Sequence, residues 1–266
     1  MTHIIHKELS YTVRGVLIDV HNELGPMLRE KFYQEAIAVG LEDKGVRCET
    51  EKLFKVTYRG VQVGRYYVDV WIEGGKLLLE LKVAPEILPL HRAQAISYLK
   101  VTDADLAIVV NFGTDSLTDE RLPNFLRGKK THFTWQEETA IRPGLYPALT
   151  NKLLEILHRV HFELGPGFFH KIYRRATMLE LRQQGIAYEY IKHLPIHYKG
   201  QRLGEQETRL ICVQKQVMLA TVAVKEIDEA LKAQLRSRMK RQNVTLGLLA
   251  NFNGTKLYVV VVRSDA

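Results

Sequence analysis

Asp69, Glu80 and Lys82 are the side chains best placed by type and spacing for chemistry. They lie in Tyr67-Val-Asp-Val-Trp-Ile-Glu-Gly-Gly-Lys-Leu-Leu-Leu-Glu-Leu-Lys82. The stretch reads as two apolar strands joined by a turn at Gly74-Gly75. Alternate residues of a strand share a face, so Glu80 and Lys82 project together while Leu79, Leu81 and Val83 project the other way. Asp69 stands on the neighbouring strand. Two carboxylates and an amine converging there suit a hard divalent cation and a water nucleophile. The same pattern also describes a solvated strand face, with Lys82 in a simple ion pair with Glu80 or Asp69.

The elements around this stretch read clearly. Ile5, Leu9, Val13, Val16, Leu17 and Val20 recur at helical spacing over residues 4–23, and Leu24-Gly-Pro breaks that helix. A second helix is predicted from Leu28 to Lys44, ended by Gly45. Strands are predicted over Val46–Tyr58, Val61–Ile72 and Lys76–Val83, then a helix over Leu90–Lys100 and a strand over Asp105–Phe112. Helix, helix, three strands, helix, strand is an α/β sandwich. The pattern lapses over residues 114–150, read as a connector with a short strand near His132–Trp135.

Then the same pattern returns. Shifted by 140 positions, the two halves align without a gap for over 90 residues. His21, Glu23, Leu24, Gly25 and Pro26 meet His161, Glu163, Leu164, Gly165 and Pro166. Tyr33 meets Tyr173, Gly45 meets Gly185, and Asn111-Phe112 meet Asn251-Phe252. The chain is two copies of one domain, with boundaries expected at 1–113, 114–144 and 145–266. The copies part company at the polar positions. Glu30 becomes His170, Asp69 becomes Arg209, Glu80 becomes Ala220 and Lys82 becomes Val222. Gln94 persists as Gln234, and Tyr98 becomes Arg238. Loss confined to those positions implies that they did a separate job in the first copy.

Leu24-Gly-Pro with Met27-Leu-Arg-Glu30-Lys-Phe-Tyr33 resembles the motif of the GxxExxY proteins. The first copy keeps the acid, with Met27 where the motif has glycine; the second keeps Gly167 and has His170 for the acid. Asp69 with Glu80-Leu-Lys82 resembles the PD-(D/E)xK motif of the restriction-endonuclease-like nucleases. Gln94-Ala-Ile-Ser-Tyr98 is similar to the Gln-x-x-x-Tyr motif of their RecB-like branch. The resemblance covers residues 5–113 and, more weakly, 145–253. It implies two tandem restriction-endonuclease-like α/β domains, each a mixed central sheet flanked by helices, with one active site in the first.

In that reading Asp69, Glu80 and Glu30 hold Mg²⁺ or Mn²⁺, with the Leu81 carbonyl as a further ligand. Lys82 orients or deprotonates water, and Gln94 and Tyr98, one helical turn apart, position substrate or Lys82. Glu30 also has a reading as an acid favoured by its helix dipole, and Gln94 is in part structural because it persists in the second copy. His21 and Tyr33 read as packing residues.

Net charge is +8, unevenly placed. Residues 1–145 carry nineteen Lys and Arg against twenty Asp and Glu; residues 146–266 carry nineteen against ten. Lys232, Arg236, Arg238, Lys240 and Arg241 crowd one predicted helix of the second copy. They point to contact with the backbone of DNA or RNA, or else to a solvated helix face. No apolar run approaches the roughly 20 residues that span a membrane. Two distant cysteines and the absence of a secretory hydrophobic segment fit a reduced cytoplasm. The expected activity is metal-dependent nuclease action. The alternative is a non-catalytic scaffold that binds nucleic acid or protein. Either is compatible with a monomer whose repeats form an intramolecular pseudo-dimer.

Overall fold

The computed structural model describes residues 5–126, 132–136 and 144–264. The chain divides into two compact units, residues 1–131 with 165–167 and residues 132–164 with 168–266. In the first, α1 (Lys7–Leu24) and α2 (Glu30–Asp43) precede β1 (Cys48–Tyr58), β2 (Val61–Ile72) and β3 (Leu77–Lys82). Then come α3 (Pro89–Thr102), β4 (Leu106–Asn111) and β5 (Thr118–Pro123). The sheet runs β1-β2-β3-β4-β5. It is antiparallel except at β3–β4, where the α3 crossover makes a parallel pair.

Sequence periodicity explains the core. The stripe Val13, Val16, Leu17 and Val20 of α1 meets Tyr33, Ile37 and Leu41 of α2. Both pack on alternate residues of the central strands: Leu77, Leu79 and Leu81 of β3, and Leu106, Ile108 and Val110 of β4. None of this cluster comes from α3, whose Ala95 and Leu99 are buried against the opposite face. The β2–β3 turn needs glycine at position 75. There φ is +107°, and a Cβ would lie 2.5 Å from the Trp71 ring.

The second unit repeats the order with α4 (Pro147–Leu164), α5 (His170–Gln183), β6 (Tyr188–Tyr198), β7 (Gln201–Val213), β8 (Val217–Val222), α6 (Glu229–Arg241), β9 (Leu246–Asn251) and β10 (Tyr258–Arg263). Its sheet is β10-β9-β8-β7-β6, again with one parallel pair, β8–β9. The architecture is α/β: two five-stranded mixed sheets, each flanked by helices.

β5 lies inside the stretch read as connector. Thr-Asp-Glu-Arg-Leu-Pro offers no apolar face, which is why pattern reading passes over it. As an edge strand it needs none, since its backbone pairs with β4 from Leu106↔Pro123 to Asn111↔Thr118, and edge charges discourage further pairing. Residues 132–136 carry no regular structure. Gly128-Lys-Lys and Arg142-Pro, in the stretch read as connector, lie outside the described residues. Among the described residues, no helix is long and apolar enough to cross a membrane.

Residues shared by the two copies do structural work. Asn111 Nδ2 donates to the Ala84 carbonyl at 2.8 Å, while its Oδ1 accepts from the N–H groups of Ala84 (2.9 Å) and Gly113 (3.0 Å). Asn251 repeats this with Val224 and Asn253. The Tyr33 hydroxyl donates to the Gly25 carbonyl at 2.6 Å and accepts from Leu28 N–H, and its ring stacks on Phe112 at 4.1 Å. Tyr173 stacks likewise on Phe252 at 4.3 Å. His21 Nε2 meets the Thr114 carbonyl, and His161 meets that of Gly254, both at 2.9 Å. His21 and Tyr33 therefore pack and pin loops, as the sequence reading held. Asn111 is fully buried, so Asn111→Ala strands two backbone N–H groups and one carbonyl. We expect a loss of about 2–4 kcal/mol, read as a lower urea midpoint with an unchanged slope.

Candidate active site

The site forms where β2 and β3 part. Their ladder runs only from Ile72↔Leu77 to Val70↔Leu79. Beyond it a side chain replaces the backbone: Asp69 Oδ2 accepts from Leu81 N–H at 2.8 Å. The Asp69 carbonyl accepts from Gln34 Nε2 of α2 at 2.6 Å. Opposite Asp69, Glu51 takes a left-handed φ of 48°, and the β1–β2 pairing skips that one position. The hairpin changes face there. Val70 and Ile72 point into the α1/α2 core. Tyr66, on the same alternation, instead stacks on Tyr98 of α3 with ring centres 4.1 Å apart.

Glu80 is 3% exposed. Its Oε1 accepts from Lys82 Nζ at 2.6 Å. Its Oε2 is buried and has no hydrogen-bond partner among the described residues. Burial pushes the Glu80 carboxyl up to about 8, with the Asp69 and Glu30 charges adding and Lys82 opposing. Burial also raises Asp69, to about 6, against the pull of the Leu81 N–H and Lys82. For Lys82, burial works to lower the value. The Glu80 carboxylate outweighs it through charge and hydrogen bond, helped by Glu30 and Asp69, and the net shift is upward. All three groups hold protons more tightly than usual, so the cluster favours added positive charge.

The other expected residues fall around this pair. Glu30 opens α2 and is exposed. Its charge reaches Asp69, Glu80 and Lys82. Among the described residues no three His, Cys, Asp or Glu side chains gather closely enough to hold a metal, so Glu30 stands outside the immediate pair. Tyr98 is buried against Tyr66, whose hydroxyl is raised far above its usual value by burial and then by the Glu80 charge. Gln94 is half-buried one turn before Tyr98 and makes no hydrogen bond to Asp69, Glu80 or Lys82.

Sequence reasoning missed Tyr66, Gln34 and Glu51. Gln34 was findable, because it lies four residues after Glu30 on the same helix face. Tyr66 and Glu51 belong to no motif. The donor set fits a hard cation: two carboxylates, one with an unpartnered oxygen, beside the Leu81 peptide unit.

The second unit inverts the charge. His170 opens α5, its value lowered first by burial and then by Arg174 and Arg209. The buried Arg174 replaces Gln34 and lies 3.3 Å from His170 Nδ1. Arg209 pairs with Glu207 at 2.6 Å. Ala220 and Val222 join an apolar cluster with Leu235 and Met239 of α6. On α6 itself, Lys232 pairs with Glu229 at 2.8 Å and Arg236 lies 3.9 Å from the same carboxylate. Arg238 is half-buried, its Nε without a partner among the described residues, while Lys240 and Arg241 are exposed.

A family model described as the PD-(D/E)XK nuclease superfamily matches residues 7–122 and again 147–263. The chain belongs to the PD-(D/E)XK nuclease superfamily. Both copies do, and the matched regions reach Leu122 of β5 and take in β10. No curated protein matches. A solved structure named "Crystal structure of SSO0001" matches 44% of this chain at 22% identity with a TM-score of 0.26. That match spans 57% of the other chain's length, and a likeness at that level carries no argument.

Two outcomes follow for this PD-(D/E)XK unit. Glu80→Ala with Lys82→Val installs the second copy's own residues and removes a buried ion pair. Without metal we expect the double variant to be as stable as the parent or more so, by up to about 4 kcal/mol, and Glu80→Ala alone to be less stable; urea unfolding reads both. The pH dependence has a definite sign. Asp69 and Glu80 are raised in the folded state, so their contribution is full below the unfolded carboxylate value, about 4.3. It is lost as pH climbs through about 6 and then about 8. Lys82 is raised from an already high value and does not change charge in that window. The metal-free protein should lose thermal stability from pH 5 to 8, and Glu80→Gln should flatten that decline.

Proposed function

We propose that the first unit hydrolyses phosphodiester bonds of DNA or RNA with a bound Mg²⁺ or Mn²⁺. The observation that carries this reading is Glu80 Oε2, a buried carboxylate oxygen beside Asp69 and Lys82 with no donor among the described residues. An orphaned buried acceptor costs free energy unless something outside the chain satisfies it. Membership of a nuclease superfamily makes a cation and a phosphate natural candidates.

Asp69 and Glu80 would hold the metal, with the Leu81 carbonyl available and Glu30 reaching it through water. Bound there, the ion supplies charge neutralisation at the phosphate and a more acidic water. Lys82 is kept protonated beside Glu80, so it orients the attacking water and meets charge building on the phosphate oxygens. Tyr66 and Tyr98 wall the site and hold its dielectric low. Gln94 lines the approach one turn away. The second unit, with His170, Arg174 and Arg209 in place of acid and amide, repels a cation. Its role in this reading is to hold nucleic-acid backbone, through Lys240 and Arg241 foremost, with Arg238, Arg236 and Lys232 behind them.

Purified protein should cleave DNA or RNA with Mg²⁺ or Mn²⁺ and not with EDTA. Asp69→Ala and Lys82→Ala should each lower the rate at least about 100-fold while circular dichroism stays unchanged. Equal cleavage by parent and both variants would trace the activity to a contaminant and remove the proposal.

A further inference from the structure

The β1–β2 hairpin runs well past the point where β2 leaves β3. Its pairing continues from Lys52↔Val68 to Tyr58↔Val61, while β2 meets β3 only over residues 70–72. Residues 52–67 contain Lys52, Lys55, Arg59 and Arg65 and no acid. On one face the cross-strand pairs are Leu53↔Tyr67 and Lys55↔Arg65, and all four side chains are exposed. Tyr67 leaves half its surface in solvent, at 53%. Two like charges directly opposite each other destabilise a hairpin. No carboxylate among the described residues pairs with Lys55 or Arg65 to relieve them.

The second copy shows what the fold itself requires of this face. There the same pairs are His193↔Glu207 and Pro195↔Glu205. The hairpin keeps its length and its register irregularity near the tip, while the face turns from basic and aromatic to acidic. Glu205 is paired with Arg202, and Glu207 with Arg209. Cations and an open ring on this face are thus no condition for folding the hairpin, and in the first copy they start two residues from Asp69.

We propose that this face binds single-stranded nucleic acid and leads it to Asp69 and Glu80. The chemistry selects a single strand. Same-face residues on a strand lie about 6.8 Å apart, so Tyr67 and Arg65 form a stripe one chain wide, with Lys55 beside Arg65. Cations on such a stripe take successive phosphates, while an exposed tyrosine ring takes the face of an unstacked base, which a duplex does not offer. Delivery to the carboxylates rests on the nuclease reading above; binding by the hairpin does not.

The test separates the two by measuring binding without cleavage. Fluorescence anisotropy in EDTA follows a labelled single-stranded oligonucleotide and its duplex. Lys55→Glu with Arg65→Glu should weaken single-strand binding at least tenfold and reduce the salt slope by about 1.4, the value for two lost phosphate contacts. Tyr67→Ala should weaken it about 5- to 150-fold, the range for one lost base stack, and leave the slope unchanged. The control Lys7→Glu with Lys44→Glu makes the same change in net charge at exposed sites off the hairpin and should keep affinity within twofold. The proposal is overturned if the hairpin variants bind like the parent. It is overturned equally if the control loses as much, or if duplex binds as tightly as single strand and suffers the same losses. Hydrolysis of bis(p-nitrophenyl) phosphate by the hairpin variants at the parental rate, alongside lost binding, would place the defect in strand capture. Failure of the parent to hydrolyse that ester with Mg²⁺, with binding intact, would count against the nuclease reading alone.

Discussion

A carboxylate kept inside a sheet without a full set of donors is the constraint from which the first unit's peculiarities follow. Glu80 is held by Lys82 at 2.6 Å, and even then one oxygen meets no donor among the described residues. The neighbourhood is organised to keep that oxygen available. The β2–β3 ladder stops one step short of it. Asp69 spends one oxygen on Leu81 N–H, which fixes its direction and ties the parted strands. Gln34 holds the Asp69 carbonyl from the helix side. Glu51 takes up the backbone distortion. Such local misfits gather where a fold gives up stability for chemistry.

The repeat makes that separation readable within one chain. Asn111 and Asn251, Tyr33 and Tyr173, His21 and His161 make equivalent contacts in both units. They belong to the scaffold. Glu80 and Lys82 correspond to Ala220 and Val222, and the latter pair sits in an apolar cluster beneath α6. The sheet face under the crossover helix can therefore close as ordinary core. In the first unit it stays polar beside Tyr66 and Tyr98.

Much of this was legible from residue types alone. Helical spacing gave α1 and α2, and apolar runs gave the central strands, because those elements bury a face. The exact 140-residue register exposed Asp69, Glu80 and Lys82 through what replaced them. β5 was invisible because an edge strand of Thr-Asp-Glu-Arg buries nothing on its own and is held by its ladder to β4. Tyr66 was invisible for a different reason. Strict alternation assigns it to the face of Val70, and only the reversal at Glu51 turns it towards α3. Glu30 was read as a close metal ligand, whereas it stands at an exposed helix start and acts on the pair through its field. Pattern reading places a side chain on a face; it does not measure its distance.

The apolar plug of the second unit also sets a barrier to exchange between the two patterns. Restoring Glu at position 220 alone would bury a carboxylate among Leu235, Met239 and their neighbours with no ammonium beside it. Restoring Lys at 222 alone would bury the opposite charge. Either step costs several kcal/mol, against a domain stability of about 5–15. Arg209 and Arg174 would meanwhile repel any cation drawn to such an acid. The opposite change in the first unit meets the same barrier, because Glu80→Ala alone leaves the Lys82 ammonium without its partner. The two charges are therefore kept or exchanged together, and what couples them is the free energy of an uncompensated charge in a closed core.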